Sequence, residues 1–349
     1  MAQLQSLGYI LAALLMLGVL IMLHEAGHFF SARLSGMAVN EFAIGMGPKL
    51  WSRRGKSGTL YSVRAFPLGG FCLFYGEDQE VDDPRAYNRQ PVWKRILSVI
   101  CGPLMNFVAA ILIATAFFAI LGQYVQVPTV GTLLEGAAAQ EAGLLEQDEI
   151  LAINGQAVAS PGDVVAIVGQ NREQTLHMQI RRGGEDMTLE VTPRYMEAYQ
   201  SYMIGIVFGW AQRPQPVGTA FVTSLEVCKE ASTMLLKALR DMVFRGEGIE
   251  GMTGPVGTIN LIQEETRTGG LPAFLNLAVV ISINLGVINL LPLPGLDGSR
   301  LLFLLVEGVR RKPINRNIEG MIHFGGLVLL LGLMAVFTYK DIVALFTGR

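Results

Sequence analysis

The chain has 349 residues, a formal net charge of −2, 51% hydrophobic residues and only 16% charged residues, with a mean hydropathy of +0.42. The charge excludes the broad basic surface that binds nucleic acid, and the composition is too apolar for two ordinary soluble domains. We therefore expect an integral membrane protein that carries a smaller soluble part.

Four apolar segments are each close to the length of about 20 residues that a membrane-spanning helix needs. Lysine and arginine are concentrated in the loop after the first segment and in the loop after the third, whereas the N-terminal flank has none. The positive-inside rule then places both loops in the cytoplasm and both termini outside. The predicted segments run roughly over residues 8–30, 96–121, 274–291 and 321–337.

The first segment ends in the sequence His24-Glu25-Ala26-Gly27-His28. On a helix the two histidines share one face, one turn apart, so two neutral imidazoles can bind one zinc ion. Glu25 is then placed to act as the general base that takes a proton from the attacking water. Ionisable groups at membrane depth are costly and therefore mark functional sites. A chance match and the ion site of a membrane transporter are the alternatives.

A catalytic zinc site usually takes three protein ligands, and the third candidate is Asp297. It lies in residues 289–298, where two prolines and a glycine break the third segment at the depth of the two histidines. Such a break is costly in lipid unless it builds a site. The alternative is that Asp297 only caps the helix that follows it. Glu319 and His323 are the rival third ligands.

Residues 60–75 are too apolar for an ordinary cytoplasmic loop. β-branched and aromatic residues flank the break Pro67-Leu68-Gly69-Gly70, a pattern that predicts a β-hairpin with its turn at the break. Non-helical backbone is tolerated at membrane depth where it lines a cavity, so we expect a re-entrant β-hairpin beside the metal site. A short hairpin packed on the cytoplasmic face is the alternative.

Residues 128–193 are predicted to contain both strands and short helices, as in a soluble α+β unit. The turn signal Asn154-Gly155 follows a predicted strand, and Ser160 marks a helix start. The order of elements resembles a PDZ domain of the protease-associated type, which the topology places outside. We expect it to act as a steric gate for substrates whose external part is trimmed. An amphipathic stretch, residues 217–245, follows and is expected on the outer membrane face or against the protein's own helices.

The predicted fold class is a polytopic α-helical membrane protein with about four transmembrane helices, a re-entrant β-hairpin and an inserted α+β PDZ domain. The predicted parts are an N-terminal membrane half (1–126), the PDZ domain (127–195), an amphipathic linker region (196–270) and a C-terminal membrane half (271–349).

Two motifs in combination carry a resemblance to a known family: HExxH on the first helix and Asn-x-x-Pro-x-Pro-x-Leu-Asp-Gly on the third. With them the chain resembles the site-2 proteases, most closely the bacterial RseP-type intramembrane zinc metalloproteases with a single PDZ domain. It departs from the family at Ser299, where a second glycine is frequent. Further matching stretches are residues 42–48, 66–71, 102–106 and 254–257.

The resemblance implies regulated intramembrane proteolysis of single-pass membrane proteins in the lipid bilayer of a bacterial cell membrane. Its substrates are anti-sigma factors or remnant signal peptides, usually cut after a first-site protease has trimmed them outside. Zn²⁺ is the implied cofactor, held by His24, His28 and Asp297, with Glu25 as the base. The alternatives are a membrane metal transporter or metallochaperone and an inactive PDZ scaffold. The residues expected to bind substrate are Asn289, Pro292, Pro294, Gly69, Gly70 and Phe71.

Overall fold

The chain forms two compact units. The computed structural model describes residues 2–77, 79, 81–247 and 254–347. Residues 118–215 form one unit, here called the inserted unit, and the segments before and after it form the other, here called the membrane unit. The predicted domain boundaries at residues 127 and 195 both fall inside the inserted unit.

Long helices dominate the membrane unit, and short ones belong to the inserted unit. In chain order the α-helices of the described residues are α1 (Ala2–Leu34), α2 (Val92–Ile120), α3 (Ala138–Glu141), α4 (Pro161–Gln170), α5 (Val217–Arg245), α6 (Pro255–Leu290), α7 (Asp297–Arg310) and α8 (Arg316–Thr347).

Within the described chain, four helices are long and apolar enough to cross a membrane, namely α1, α2, α6 and α8. This confirms the four predicted spanning segments. The third was predicted to begin near residue 274, but α6 begins at Pro255 and continues through a kink at Gly270, whose φ is +62°. In the most apolar stretch of α8, only 6% is buried inside the protein. Such exposure is expected for a helix whose surface faces lipid.

Two long strands follow α1, and shorter strands make up most of the inserted unit. In chain order the strands are β1 (Val39–Arg54), β2 (Leu60–Phe74), β3 (Gln123–Leu133), β4 (Glu149–Ile153), β5 (Gln156–Ala157), β6 (Leu176–Arg182), β7 (Glu185–Val191), β8 (Arg194–Met196), β9 (Ser201–Met203) and β10 (Ile206–Arg213).

The predicted β-hairpin is present, but its turn lies elsewhere. β1 and β2 pair antiparallel, and the turn between them contains Gly58 with a φ of +87°, a value that favours glycine. The break at residues 67–70 lies within β2 instead. Residues 42–44 pair both with residues 70–72 and with residues 61–63, so β2 bends at the break and flanks β1 on both sides.

The inserted unit is an antiparallel sheet packed against α4. Its strand order is β10-β3-β4-β6-β7, with β5 paired to β4. Leu176, Met178 and Ile180 of β6 are fully buried, so alternate residues face the core, where Val164 of α4 packs on them. Ser160 caps α4 as predicted, and the structure adds that the cap is a reciprocal capping box with Asp163. The unit extends beyond residues 127–195 because β10 pairs with β3.

Helices α1 and α6 form the centre of the membrane unit. Ala13, Met16 and Leu20 of α1 pack with Ile262 and Ala278 of α6 in one buried apolar cluster. The three- and four-residue spacing on α1 places these side chains on one helix face. Polar residues beyond this cluster on α1 are therefore held against neighbouring helices.

The amphipathic helix α5 begins against α2. Ala220 and Ser224 are buried, and the Thr115 hydroxyl of α2 donates a hydrogen bond to Ser224 Oγ at 3.1 Å. Val243 and Phe244 at the other end of α5 are exposed. The first turns of α5 thus take one of its two predicted placements, against the protein's own helices.

A carboxylate of α8 fixes the start of α6. Asp341 is 7% exposed and accepts hydrogen bonds from the backbone nitrogens of Gly254 and Gly257 at 3.2 and 2.8 Å. A negative charge at a helix N-terminus is favourable. A Cβ on Gly257 would lie 2.7 Å from Asp341 Oδ1. The two glycines of residues 254–257 therefore make room for this carboxylate.

Candidate active site

The three predicted zinc ligands meet in the membrane unit. The Nε2 atoms of His24 and His28 lie 3.0 and 3.2 Å from Asp297 Oδ2 and 3.2 Å from each other. Both histidines are buried, at 7% and 6% exposure. Side chains that are far apart in the sequence therefore present three donor atoms to one point.

Helices α1 and α7 bring the ligands together. The two histidines share a face of α1, and Asp297 is the first residue of α7. Gly298 permits the close approach of α7 to the end of α6, because a Cβ there would overlap the carbonyl oxygens of Leu290 and Leu291. The N-cap residue of α7 is Leu296. Because Asp297 Oδ2 faces the histidines, the geometry favours a ligand role for Asp297 over a role in capping alone.

This donor set fits a zinc ion. In a tetrahedral site with bonds of 2.0–2.1 Å, donor atoms lie roughly 3.3 Å apart, close to the separations of 3.0–3.2 Å here. His28 Nδ1 lies 2.8 Å from the Ser98 carbonyl oxygen. A carbonyl only accepts, so in the neutral imidazole Nδ1 carries the proton and Nε2 presents a lone pair. Asp297 Oδ2 is buried and finds no hydrogen-bond partner among the described residues. Such converging lone pairs are stabilised by a cation.

The interactions of Asp297 with His24 and His28 lower its pKa well below the usual range, although burial alone raises it. That attraction requires a proton on the histidine rings, and a bound cation would take the place of that proton, because metal ligands must be deprotonated.

Glu25 lies beside the ligands without joining them. It lines the same cavity of about 420 Å³ as the two histidines and Asp297. β2 comes close at this point, because a Cβ on Gly70 would lie 3.3 Å from Glu25 Cγ. A carboxylate that borders the donors without joining them is what the predicted base requires.

Phe71 and Asn289, two of the residues predicted to bind substrate, line this cavity. The Asn289 side-chain nitrogen donates a hydrogen bond to the Leu285 carbonyl at 2.9 Å, which fixes the orientation of its carboxamide. Gly70, a third predicted residue, borders Glu25 as described. All three therefore lie at or beside the cavity that holds the three donors.

The other three predicted substrate residues are not among those that line the cavity in the described chain. Gly69 has a φ of +96° and packs against Met46. Pro294 packs against Gly326 of α8, where a Cβ would overlap it. Pro292 is exposed in the same loop. Gly69 and the two prolines thus shape the backbone around the site.

The rival ligands Glu319 and His323 do not join the cluster. His323 Nδ1 accepts a hydrogen bond from the Gly295 backbone at 3.3 Å, and its Nε2 lies 3.9 Å from the Glu319 carboxylate. Both residues line a neighbouring cavity of about 780 Å³. The geometry favours Asp297 as the third ligand.

Several residues around the site were not identified from the sequence. Arg300 Nη1 lies 2.7 Å from Glu77 Oε1, and both residues line the two cavities. The negative charge of Glu77 raises the pKa of Arg300. The position of Arg300 one turn after Asp297 was the available signal. Ser98 and Asn106 of α2 contact the Nδ1 atoms of the two histidines; the matching stretch 102–106 already contained the second of them.

Comparisons with known proteins show which family the chain resembles. The chain matches Peptidase family M50 over residues 12–333. The regulator of sigma-W protease RasP of Bacillus subtilis is 30% identical, with 97% of this chain and 99% of that protein covered. The zinc metalloprotease RasP of Oceanobacillus iheyensis is 32% identical, with the same coverage of 97% and 99%. Among solved structures, the PDZ domain of an SdrC-like protein from Listeria monocytogenes is 16% identical, covering 24% of this chain and 88% of that chain with a TM-score of 0.22.

Proposed function

The chain belongs to peptidase family M50, the site-2 protease family, and on that premise we propose that Glu25 is its catalytic base and that His24, His28 and Asp297 hold its zinc. The protein is a zinc metalloprotease and spans the membrane several times. The observation that carries the assignment is the convergence of the three donors beside Glu25 in one cavity. A metal transporter gives no role to a carboxylate that borders the donors without joining them.

The residues of the cavity have different roles in peptide hydrolysis. When bound, zinc supplies Lewis-acid activation of the water and of the scissile carbonyl. Glu25 takes the proton of the attacking water and returns it to the leaving amine, a role that needs one carboxylate within reach of both groups. Phe71 and Phe74 line the same cavity with apolar rings, and an apolar wall strengthens the electrostatic interactions beside it.

β2 offers an edge for an unwound substrate. The carbonyl groups of a helical substrate are occupied by i→i−4 hydrogen bonds, so the segment must unwind before it can be cut. Residues 71–74 of β2 line the catalytic cavity, and β2 pairs with β1 along one side there. A substrate strand added along the other side would place its backbone over Glu25. Asn289 would hold a backbone group of that strand.

The proposed substrates are single-pass membrane proteins cut within their membrane segment. The Bacillus subtilis relative is named as a regulator of sigma-W protease, and by this similarity we assign anti-sigma factors, together with remnant signal peptides, as the substrate class. A first-site protease removes the external part beforehand. The basic loops after α1 and between α6 and α8 then face the cytoplasm. The PDZ-like domain and both termini lie outside.

A comparison of membrane proteomes tests this function. Cells that carry Glu25→Gln are expected to accumulate trimmed single-pass membrane proteins that the wild-type protein removes, because glutamine keeps the size of the side chain and loses its basicity. Glu226→Gln, at an exposed position of α5, is the matched control and is expected to leave the proteome unchanged. Equal levels of single-pass proteins in wild-type and Glu25→Gln cells would contradict the proposal.

A further inference from the structure

Asn106 of α2 is fully buried, and its carboxamide contacts a zinc ligand. The side-chain nitrogen lies 3.2 Å from His24 Nδ1. The other end of the group, Oδ1, is buried and has no hydrogen-bond partner among the described residues. An unsatisfied buried acceptor costs about 1–3 kcal/mol. Simple packing therefore does not explain a carboxamide at this position.

His28 shows which tautomer a zinc-binding histidine needs at this site. Its Nδ1 donates to the Ser98 carbonyl oxygen at 2.8 Å, and this leaves the lone pair of Nε2 directed towards Asp297. His24 must be in the same tautomer, with the proton on Nδ1, if its Nε2 is to bind the metal. Its Nδ1 then requires an acceptor.

A carboxamide can present either its nitrogen or its oxygen to a neighbour, because the two orientations have nearly the same shape. With the nitrogen towards His24, the proton of the imidazole would reside on Nε2 and block the metal-binding lone pair. With the oxygen towards His24, Oδ1 accepts the Nδ1 proton and Nε2 is free. We propose that Asn106 is a positioning residue that holds His24 in its metal-binding tautomer through Oδ1. This inference rests on the zinc ligands assigned under the proposed function.

The spacing on α2 supports this role. Ser98, Gly102 and Asn106 recur every four residues and so share one helix face. Along that face the Ser98 carbonyl and Asn106 contact the two histidines. Between them Gly102 leaves the space that the His28 ring fills, because a Cβ on Gly102 would overlap its Cε1 and Nε2. One face of α2 therefore orients both imidazoles.

Zinc affinity of the purified full-length protein, measured by competition with a chromophoric chelator, tests the proposal without relying on activity. Asn106→Leu keeps the approximate size and removes the acceptor, and it is expected to weaken zinc binding by about 10- to 100-fold, as loss of such partners does elsewhere. Asn106→Asp restores an acceptor and is expected to keep wild-type affinity or exceed it. Ser282→Ala is the matched control, since it removes the buried hydrogen bond to the Asn106 backbone oxygen and leaves the carboxamide in place. Its affinity is expected to equal that of the wild type.

His24→Ala separates this inference from the ligand assignment. Loss of zinc in His24→Ala with wild-type affinity in Asn106→Leu overturns the role of Asn106 and keeps the ligand set. Retained affinity in His24→Ala overturns the ligand set itself. Equal weakening by Asn106→Leu and Asn106→Asp, with normal thermal unfolding of both apoproteins, also overturns the role. If Asn106→Leu does not fold, Asn106→Asp decides, because a loss of zinc affinity in that variant contradicts the proposal.

Discussion

Gly102 of α2 allows the shape of the site to be tested with one methyl group. A Cβ at this position would overlap the His28 ring, and it would also lie 2.8 Å from His28 Cδ2. Helix α1 has little freedom to move away, since Gly27 is packed just as tightly against the Cys101 carbonyl group. Gly102→Ala must therefore either turn the imidazole of His28 away from Asp297 or separate the two helices.

The expected size of the effect follows from the cost of an extra methyl group in a packed site, about 1–3 kcal/mol. If the imidazole turns, that cost appears in zinc affinity, and at 1.4 kcal/mol per tenfold it amounts to roughly a 5- to 150-fold loss. If the helices separate, the cost appears as a lower free energy of unfolding. A chelator competition titration in detergent measures the zinc affinity. Thermal unfolding of the apoprotein in detergent measures the loss of folding stability.

Gly332→Ala in α8 is the matched control, because its added Cβ would lie within 4 Å of no described atom beyond its chain neighbours and its own helix backbone. Its zinc affinity is expected to be that of the wild type, and its unfolding is expected to be unchanged or slightly more favourable to the folded state. The reasoning is refuted if Gly102→Ala matches Gly332→Ala in both measurements, since His28 would then not be packed on α2 as described.

Three further substitutions test separate parts of the structure. Asp297→Asn is expected to lower zinc affinity clearly by elemental analysis and titration; unchanged affinity with only a small loss of stability would exclude it as a ligand. Leu73→Pro in β2 removes a backbone donor and is expected to lower cleavage of a membrane substrate while zinc content is kept. Cys72 is avoided because its backbone hydrogen-bonds Glu25, and normal cleavage after proline at residues 71, 73 and 74 would reject the strand edge. In the inserted unit, burial raises the pKa of Asp148, but hydrogen bonds from Arg182 and Leu145 outweigh it and lower the pKa. Asp148 therefore stabilises the folded state above pH ~3.9, and this stabilisation is lost as the pH falls. In Asp148→Asn, the thermal unfolding temperature measured between pH 3 and 7 is expected to lack this part of its pH dependence.

The sequence predicted the features that depend on residues close together in the chain. The spacing of His24 and His28 alone placed both on one helix face, and the length of the apolar segments predicted four spanning helices. Ser160 was recognised as a helix start because a capping side chain acts on backbone groups within one turn. Asp297 was identified because two prolines and a glycine in a membrane segment need a reason to be there.

Features that depend on pairing between distant residues were not predicted. The break at residues 67–70 and the turn around Gly58 both contain glycine, and only the register with β1 decides which one reverses the chain. The start of α6 was missed because Glu264, Glu265 and Arg267 interrupt the apolar pattern ahead of Gly270.

Side-chain contacts across the site were also beyond the sequence. The ion pair of Glu77 and Arg300 joins the segment just after β2 to α7. The contact of Asn106 with His24 joins α2 to α1. No local pattern reports a partner that lies many residues away. The stretch 102–106 and the glycines at 254 and 257 were visible as motifs, but their physical reasons appear only once His28 and Asp341 are seen against them.

The central claim is that Glu25 moves the proton during hydrolysis and does not bind the metal. The most direct test measures zinc content and cleavage of a trimmed single-pass substrate in the same preparation of Glu25→Gln. The account predicts zinc content equal to that of the wild type and cleavage reduced by about 10²–10⁴-fold, the range for loss of a general base. Wild-type cleavage in Glu25→Gln would contradict the mechanism, and loss of zinc together with cleavage would make Glu25 a ligand.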